Sequence, residues 1–220
     1  MKQKLSVLLG DAISSRRINE REKFQEKIEK TCEEINVTYG ENIYAQFKIL
    51  KGIDEVGGVL STISNSYQII VTFQEQLYPH LMRFGLALDY VDTALDTKDV
   101  AKMDGPAFHR ASNIMDELKE SKSMFGMSVG DDIIDIAITN QVNLIQLLRN
   151  NWSARQRQII KEYEKLNNQY EVAEKLGTSQ QNISAAIKRA MWKEIKNVEK
   201  DVNNILYKYA QRINKGSDPK

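Results

Sequence analysis

Gln169 to Ala190, QYEVAEKLGTSQQNISAAIKRA, reads as an amphipathic helix, a tight turn and a second amphipathic helix. Val172, Ala173 and Leu176 share a face of the first helix, and Ile183, Ala186, Ile187 and Ala190 form the inner face of the second. Gly177 and Thr178 make the turn: glycine tolerates the left-handed backbone that ends a helix sharply. Ser179 offers its hydroxyl to the unpaired amides of the next helix. Ala173 is small where two helices must approach closely. The pattern predicts a helix-turn-helix, whose second helix fits the major groove of duplex DNA. With the inner face buried, Gln180, Gln181, Ser184 and Lys188 point outward. Glutamine pairs with adenine edges and lysine reaches guanine or phosphate. Arg155, Arg157, Lys161, Arg189 and Lys193 are the candidates for phosphate contacts, which position a protein without specifying sequence. The plainer alternative is a helical hairpin with a Gly-Thr turn and no nucleic-acid partner.

Charge is distributed in keeping with the DNA reading. The net charge of the 220 residues is only +1, yet residues 151–220 hold 14 Lys and Arg against 8 Asp and Glu. A basic module on an acidic body is the asymmetry expected when one end meets phosphates. The hydrophobic share of 41% and charged share of 28% are those of an ordinary globular protein. No apolar run is long enough to cross a bilayer, and the apolar part of MKQKLSVLLGDAISS is too short for a signal peptide. Cys32 is the only cysteine, which excludes an internal disulfide. With only His80 and His109 beside it, zinc is a poor fit. The expected compartment is the cytoplasm.

Upstream, LSVLLGD reads as a strand and Asn19 to about Val37 as a surface helix with one buried stripe, Phe24, Ile28 and Ile35. YAQFKIL (44–50) and VGGVLST (56–62) form a hairpin with Asp54 and Glu55 at its tip. Ser64 to Leu77 is a second helix, which Pro79 ends. LMRFGLAL (81–88) is a strand, Gly105 to Lys119 a third helix with Asp104 and Pro106 at its start, and Met124 to Val129 a last strand. The order β-α-β-β-α-β-α-β makes the fold class α+β, with a ferredoxin-like antiparallel sheet over residues 1–130. A linking helix is expected over 131–152, carrying Ile133, Ile134, Ile136, Val142, Ile145 and Leu148. The helix-turn-helix domain follows over 153–215, opened by a Ser153–Gln156 capping box, with a disordered tail at 216–220. Its last helix carries Trp192, Ile195, Val198, Val202, Ile205, Tyr209 and Ile213 at helical spacing. That stripe must bury itself on the body or on a second copy, and a homodimer is favoured because such DNA readers bind paired half-sites.

Asp11 ends the first strand, which in a ferredoxin-like sheet lies beside the hairpin bearing Asp54 and Glu55. Converging carboxylates there suit magnesium and a nucleotide; equally, acids at strand ends are commonly just solvated. The amides of Ala12 to Ser15, followed by Arg16 and Arg17, could face a phosphate.

The segments GDAISSRR (10–17), LKGIDEVGGVL (50–60), DGPAFHRA (104–111) and WSARQRQII (152–160) resemble the SatD family, across almost the whole chain. The resemblance implies a nucleotide-cyclase or polymerase-palm type sheet followed by a helix-turn-helix similar to the promoter-reading region of sigma factors. It implies that Asp11 and Asp54 are the two metal-site aspartates, with Glu55 completing an acidic pair. The family hairpin usually reads Gly-Asp-Glu-Phe-Gln; here Ile53 replaces the glycine, and Val56 and Gly57 replace the last two residues. β-Branched isoleucine resists the turn that glycine allows, which favours a degenerate site that senses a ligand or holds shape. Arg16, Asp104 and His109 are candidates to enclose a ligand pocket; the plainer alternative is that Asp104 only caps the helix and His109 only packs. Three functions follow: a DNA-binding regulator, a magnesium-dependent nucleotidyl cyclase or transferase using Asp11 and Asp54, and a protein-interaction adaptor.

Overall fold

A computed structural model describes residues 2–15 and 18–216. The chain divides into two compact units. One runs to Asn140 and takes up the chain again from Asn203; the other is Gln141–Val202.

The first unit is a five-stranded sheet in the order β2-β3-β1-β4-β5. Its strands are β1 (Gln3–Ala12), β2 (Ile43–Lys51), β3 (Glu55–Leu60), β4 (Met82–Val91) and β5 (Phe125–Ser128). Its helices are α1 (Arg21–Thr38), α2 (Ser66–Leu77) and α3 (Pro106–Ser121). This is the expected element order. The sheet is mixed, however, not antiparallel throughout: β1 runs antiparallel to β3 and β4, while β5 runs parallel to β4. The reason is the crossover, because α3 carries the chain back along the sheet before β5 begins. Leu5, Val7 and Leu9 of β1 pack with Ala107, Ala111, Met115 and Leu118 of α3. The alternate positions face the other way, where Phe84 stacks near Phe73 of α2, and Phe73 near Phe47 of β2. Gly85 lets α3 lie close: a Cβ there would come 2.9 Å from the Ala111 carbonyl oxygen. Asp104 does not cap α3. Gly105 is the residue at the helix start, and the Asp104 carboxylate accepts the Gly105 N–H at 2.8 Å.

Five helices follow: α4 (Asp132–Asn150), α5 (Ala154–Leu166), α6 (Gln169–Lys175), α7 (Gln180–Arg189) and α8 (Trp192–Gly216). The expected stripe of α4 holds at Val142 and Ile145, with Ile138 added. Ile133 and Ile136 instead are 79% and 63% exposed. On α8 the buried row is Ile195, Glu199, Val202, Leu206 and Ala210; of the expected stripe only Ile195 and Val202 are fully buried, while Trp192, Val198, Ile205, Tyr209 and Ile213 are half-buried. Within the second unit Glu199 pairs with Arg149 of α4, both buried, beside Lys196 and the Trp152 ring. No described helix is long and apolar enough to cross a membrane. Residues 217–220 of the expected tail lie outside the described residues.

Candidate functional site

In the second unit, α5, α6 and α7 enclose a small core of Ile159, Val172, Ala173, Ile183, Ala186 and Ile187. Local chemistry sets each helix end. The Ser153 hydroxyl accepts the Gln156 N–H while the Gln156 side chain accepts the Ser153 N–H, the expected capping box. Gly177 adopts φ +60, and the Gly177 and Thr178 N–H groups donate back to the Glu174 and Ala173 carbonyls. The Ser179 hydroxyl accepts the Asn182 N–H at 3.2 Å and starts α7.

That frame decides which side chains of α7 are free. Gln181, Ala185 and Lys188 form one exposed row, spaced four and three residues apart. Asn182 and Arg189 lie on the adjoining row. Two of the residues expected to point outward are partly withdrawn. Ser184 is half-buried, and the half-buried Gln180 side chain donates to the Gln169 side chain at 2.7 Å, tying α7 to the start of α6. The sequence reading missed Asn182 and Ala185; the signal was present, since once Ile183, Ala186 and Ile187 are assigned inward these two follow outward by helical geometry.

Among the expected phosphate contacts, Lys161, Arg189 and Lys193 are exposed. Arg155 is exposed but fixed: it donates to the Gln158 side chain at 2.8 Å and to the Leu176 carbonyl at 3.2 Å. Arg157 corrects the expectation. It is half-buried, donates to the Arg149 carbonyl at 2.6 Å and lies 5.8 Å from the Trp152 ring centre. Its guanidinium braces the α4–α5 turn, because a flat cation over an indole is a packing element as much as a charge.

In the first unit, Asp11 sits between Glu55 of β3 and Arg83 of β4 in register. Burial pushes its carboxyl above the ordinary 3.8; the Lys119 and Arg83 cations pull it partly back, and Asp54 adds to the rise. Asp54 lies in the hairpin turn, where Gly52 takes φ +61 and Ile53 no positive φ, so the isoleucine is accommodated by its neighbour. The amides of Ala12 and Ile13 do not face a phosphate: they donate to the Asp54 and Leu81 carbonyls at 3.1 and 2.8 Å. Among the described residues no three His, Cys, Asp or Glu side chains are grouped to hold a metal. Arg83 flanks Asp11 in the sheet and the Lys119 charge is felt there, so any cation at Asp11 would compete with these two. Glu55, Asp104 and His109 line one cavity of about 340 Å³, with Leu9, Leu50 and Phe108 among its walls. His109 Nε2 is 3.5 Å from the Asp104 carboxylate. Asp11 and Asp54 are not in that lining, and Arg16 lies outside the described residues.

The SatD family model matches residues 5–206. A solved structure of a bacterial light-regulated adenylyl cyclase is similar over 58% of this chain and 77% of its own, at 16% identity and a TM-score of 0.42. The guanylyl cyclase Cya2 is similar over 65% and 79%, at 13% identity and a TM-score of 0.41. No curated protein matches the chain.

Proposed function

The chain belongs to the SatD family, and for this member we propose a DNA-binding regulator in which α6, the turn and α7 are a helix-turn-helix. α7 enters the major groove. The observation that carries this reading is the solvent face of α7: Gln181, Ala185 and Lys188 stand exposed in one row on a helix that contains no acidic residue. Those three groups suit base edges: an amide for adenine, a methyl for the thymine methyl and an ammonium for guanine. Lys161, Arg189 and Lys193 supply cations for the backbone. In this reading the sheet unit senses a ligand in the Glu55–Asp104–His109 cavity or contributes to a homodimer. The test is binding of the full chain to fragments of its own upstream region and to random duplex, across a salt series. Expected are salt-sensitive binding and a sequence preference that Gln181→Ala and Lys188→Ala both erode. No duplex affinity at low salt sinks the reading.

A second reading, a magnesium-dependent nucleotidyl cyclase or transferase, is favoured by one observation: Asp54 is near enough to Asp11 for its charge to be felt there. The cations beside Asp11 weigh against it. Turnover of a nucleoside triphosphate that disappears in Asp11→Asn would put this reading first; no turnover of the common triphosphates removes it.

A further inference from the structure

Beside the exposed row of α7 lies a cavity of about 510 Å³, contained within the second unit. The start of α5 contributes Ser153 and Arg155, the turn contributes Thr178, and α7 contributes Asn182 and Arg189. Two guanidiniums line it and no carboxylate does.

We propose that this cavity is the seat of one backbone phosphate of the bound DNA strand, the contact that sets how α7 is placed against the bases. The inference rests on the DNA-binding reading and adds a strand contact to it. Position is the first argument. At about 100° per residue, Asn182 and Arg189 stand roughly a quarter-turn from the Gln181–Lys188 row, on the flank where a phosphate lies when that row faces a groove. The donors are the second. Arg155 is held by Gln158 and Leu176 through two of its five N–H groups, so the remainder of its fork is already oriented. Arg189 has no ion pair or side-chain hydrogen bond among the described residues and is exposed, so it closes on an anion without breaking a contact. The Asn182 amide donates to the Thr178 hydroxyl at 3.1 Å, and that hydroxyl then has its own proton to give. All three donor groups line the one cavity, and a phosphate has oxygens for each.

The experiment compares the full-length wild type with Arg189→Gln on specific and random duplexes over a salt series. Arg189→Gln should weaken both duplexes by the same factor, about tenfold, and reduce the salt slope by roughly one. Lys188→Ala should instead narrow the gap between specific and random sequence. A single neutral methylphosphonate, scanned along the site, should find one position that weakens the wild type and leaves Arg189→Gln unaffected. An unchanged urea midpoint verifies that Arg189→Gln is folded. If the wild type binds but Arg189→Gln keeps both its affinity and its salt slope, or if no methylphosphonate position singles out the wild type, the cavity is not a phosphate seat and the DNA reading survives. If the wild type does not bind duplex at all, both fall.

Discussion

Gly177→Ala isolates the backbone geometry on which the α6–α7 turn depends. Gly177 has φ +60, and a Cβ added there meets nothing within 4 Å. The substitution therefore creates no clash and only forces an L residue into the left-handed region, at a cost of roughly 1–2 kcal/mol. Alanine also removes freedom from the unfolded chain, which offsets this by about 0.5 kcal/mol. The expected net loss is about 1 kcal/mol, and with a urea slope near 1 kcal/mol per molar the midpoint should fall by about 1 M. Fluorescence is a suitable local probe because Trp152 and Trp192, the only tryptophans, both lie in the second unit. Met191 supplies the opposite perturbation. It has φ +52 and is 44% exposed, so Met191→Gly relieves the same strain while losing little packing. Its midpoint should rise, by roughly half as much because glycine adds freedom to the unfolded chain and part of the methionine's burial is lost. A neutral or stabilising Gly177→Ala together with a neutral or destabilising Met191→Gly would refute the argument.

Ile183→Ala deletes a fully buried side chain from the six-residue core of α5–α7 and should cost about 2–4 kcal/mol by the same fluorescence assay; a loss under about 1 kcal/mol would mean α7 is not packed by that face. Burial pushes the Cys32 thiol up to about 12 from 9.0, so thiol reagents at pH 8 should label it only on unfolding. The unfolded chain ionises first as pH rises, so Cys32 lowers stability progressively between about pH 9 and pH 12 and has no effect below that window; rapid labelling of the native protein contradicts the burial. For Asp11 the folded value is raised, so folding favours the neutral acid and the charged form costs stability above the unfolded value of 3.8. Asp11→Asn should therefore raise the melting temperature at pH 7, by a margin that shrinks as the pH falls towards 3.8. A lower melting temperature at pH 7 would show that the attraction of the Lys119 and Arg83 charges outweighs the burial of Asp11.

Local rules made most of the fold legible. Strand and helix order followed from apolar spacing, and the Ser153–Gln156 box and the Gly177 turn were readable because each is decided within four residues. The departures come from contacts distant in sequence. The direction of β5 follows from its lying next to β4 across the α3 crossover, and that neighbour relation is encoded by no local pattern. What covers the stripe of α8 was open between two answers, because an amphipathic stripe states that it is buried and not by what. Arg149 and Glu199 were missed although each sits in an apolar row, Val142–Ile145–Arg149 and Ile195–Glu199–Val202. A charge at a core-facing position costs several kcal/mol unless paired, so each of the two rows implied a partner that the other supplied.

The candidate sites were legible by residue type and less so by orientation. Arg157 and Arg155 are two residues apart and equally basic, yet one lies over Trp152 and the other lines an open cavity. What separates them is the helical phase of α5, set by Ile159 and Ile160 turning inward. The same reasoning ties Gln180 to α6 and leaves Asn182 exposed: Gln180 is three residues before Ile183, on the side of α7 that meets α6, and Gln169 is there to bind it. On the acidic side, strand register brings Asp11 beside Glu55, as the hairpin implied, and the same register places Arg83 on its other flank. An aspartate with a carboxylate on one side and a cation on the other has part of its charge already answered within the sheet. That is why the acidic strand end, read alone, suggested a cation site, while the basic flank of α7, with no carboxylate in its cavity, remains the stronger place to look for a charged partner.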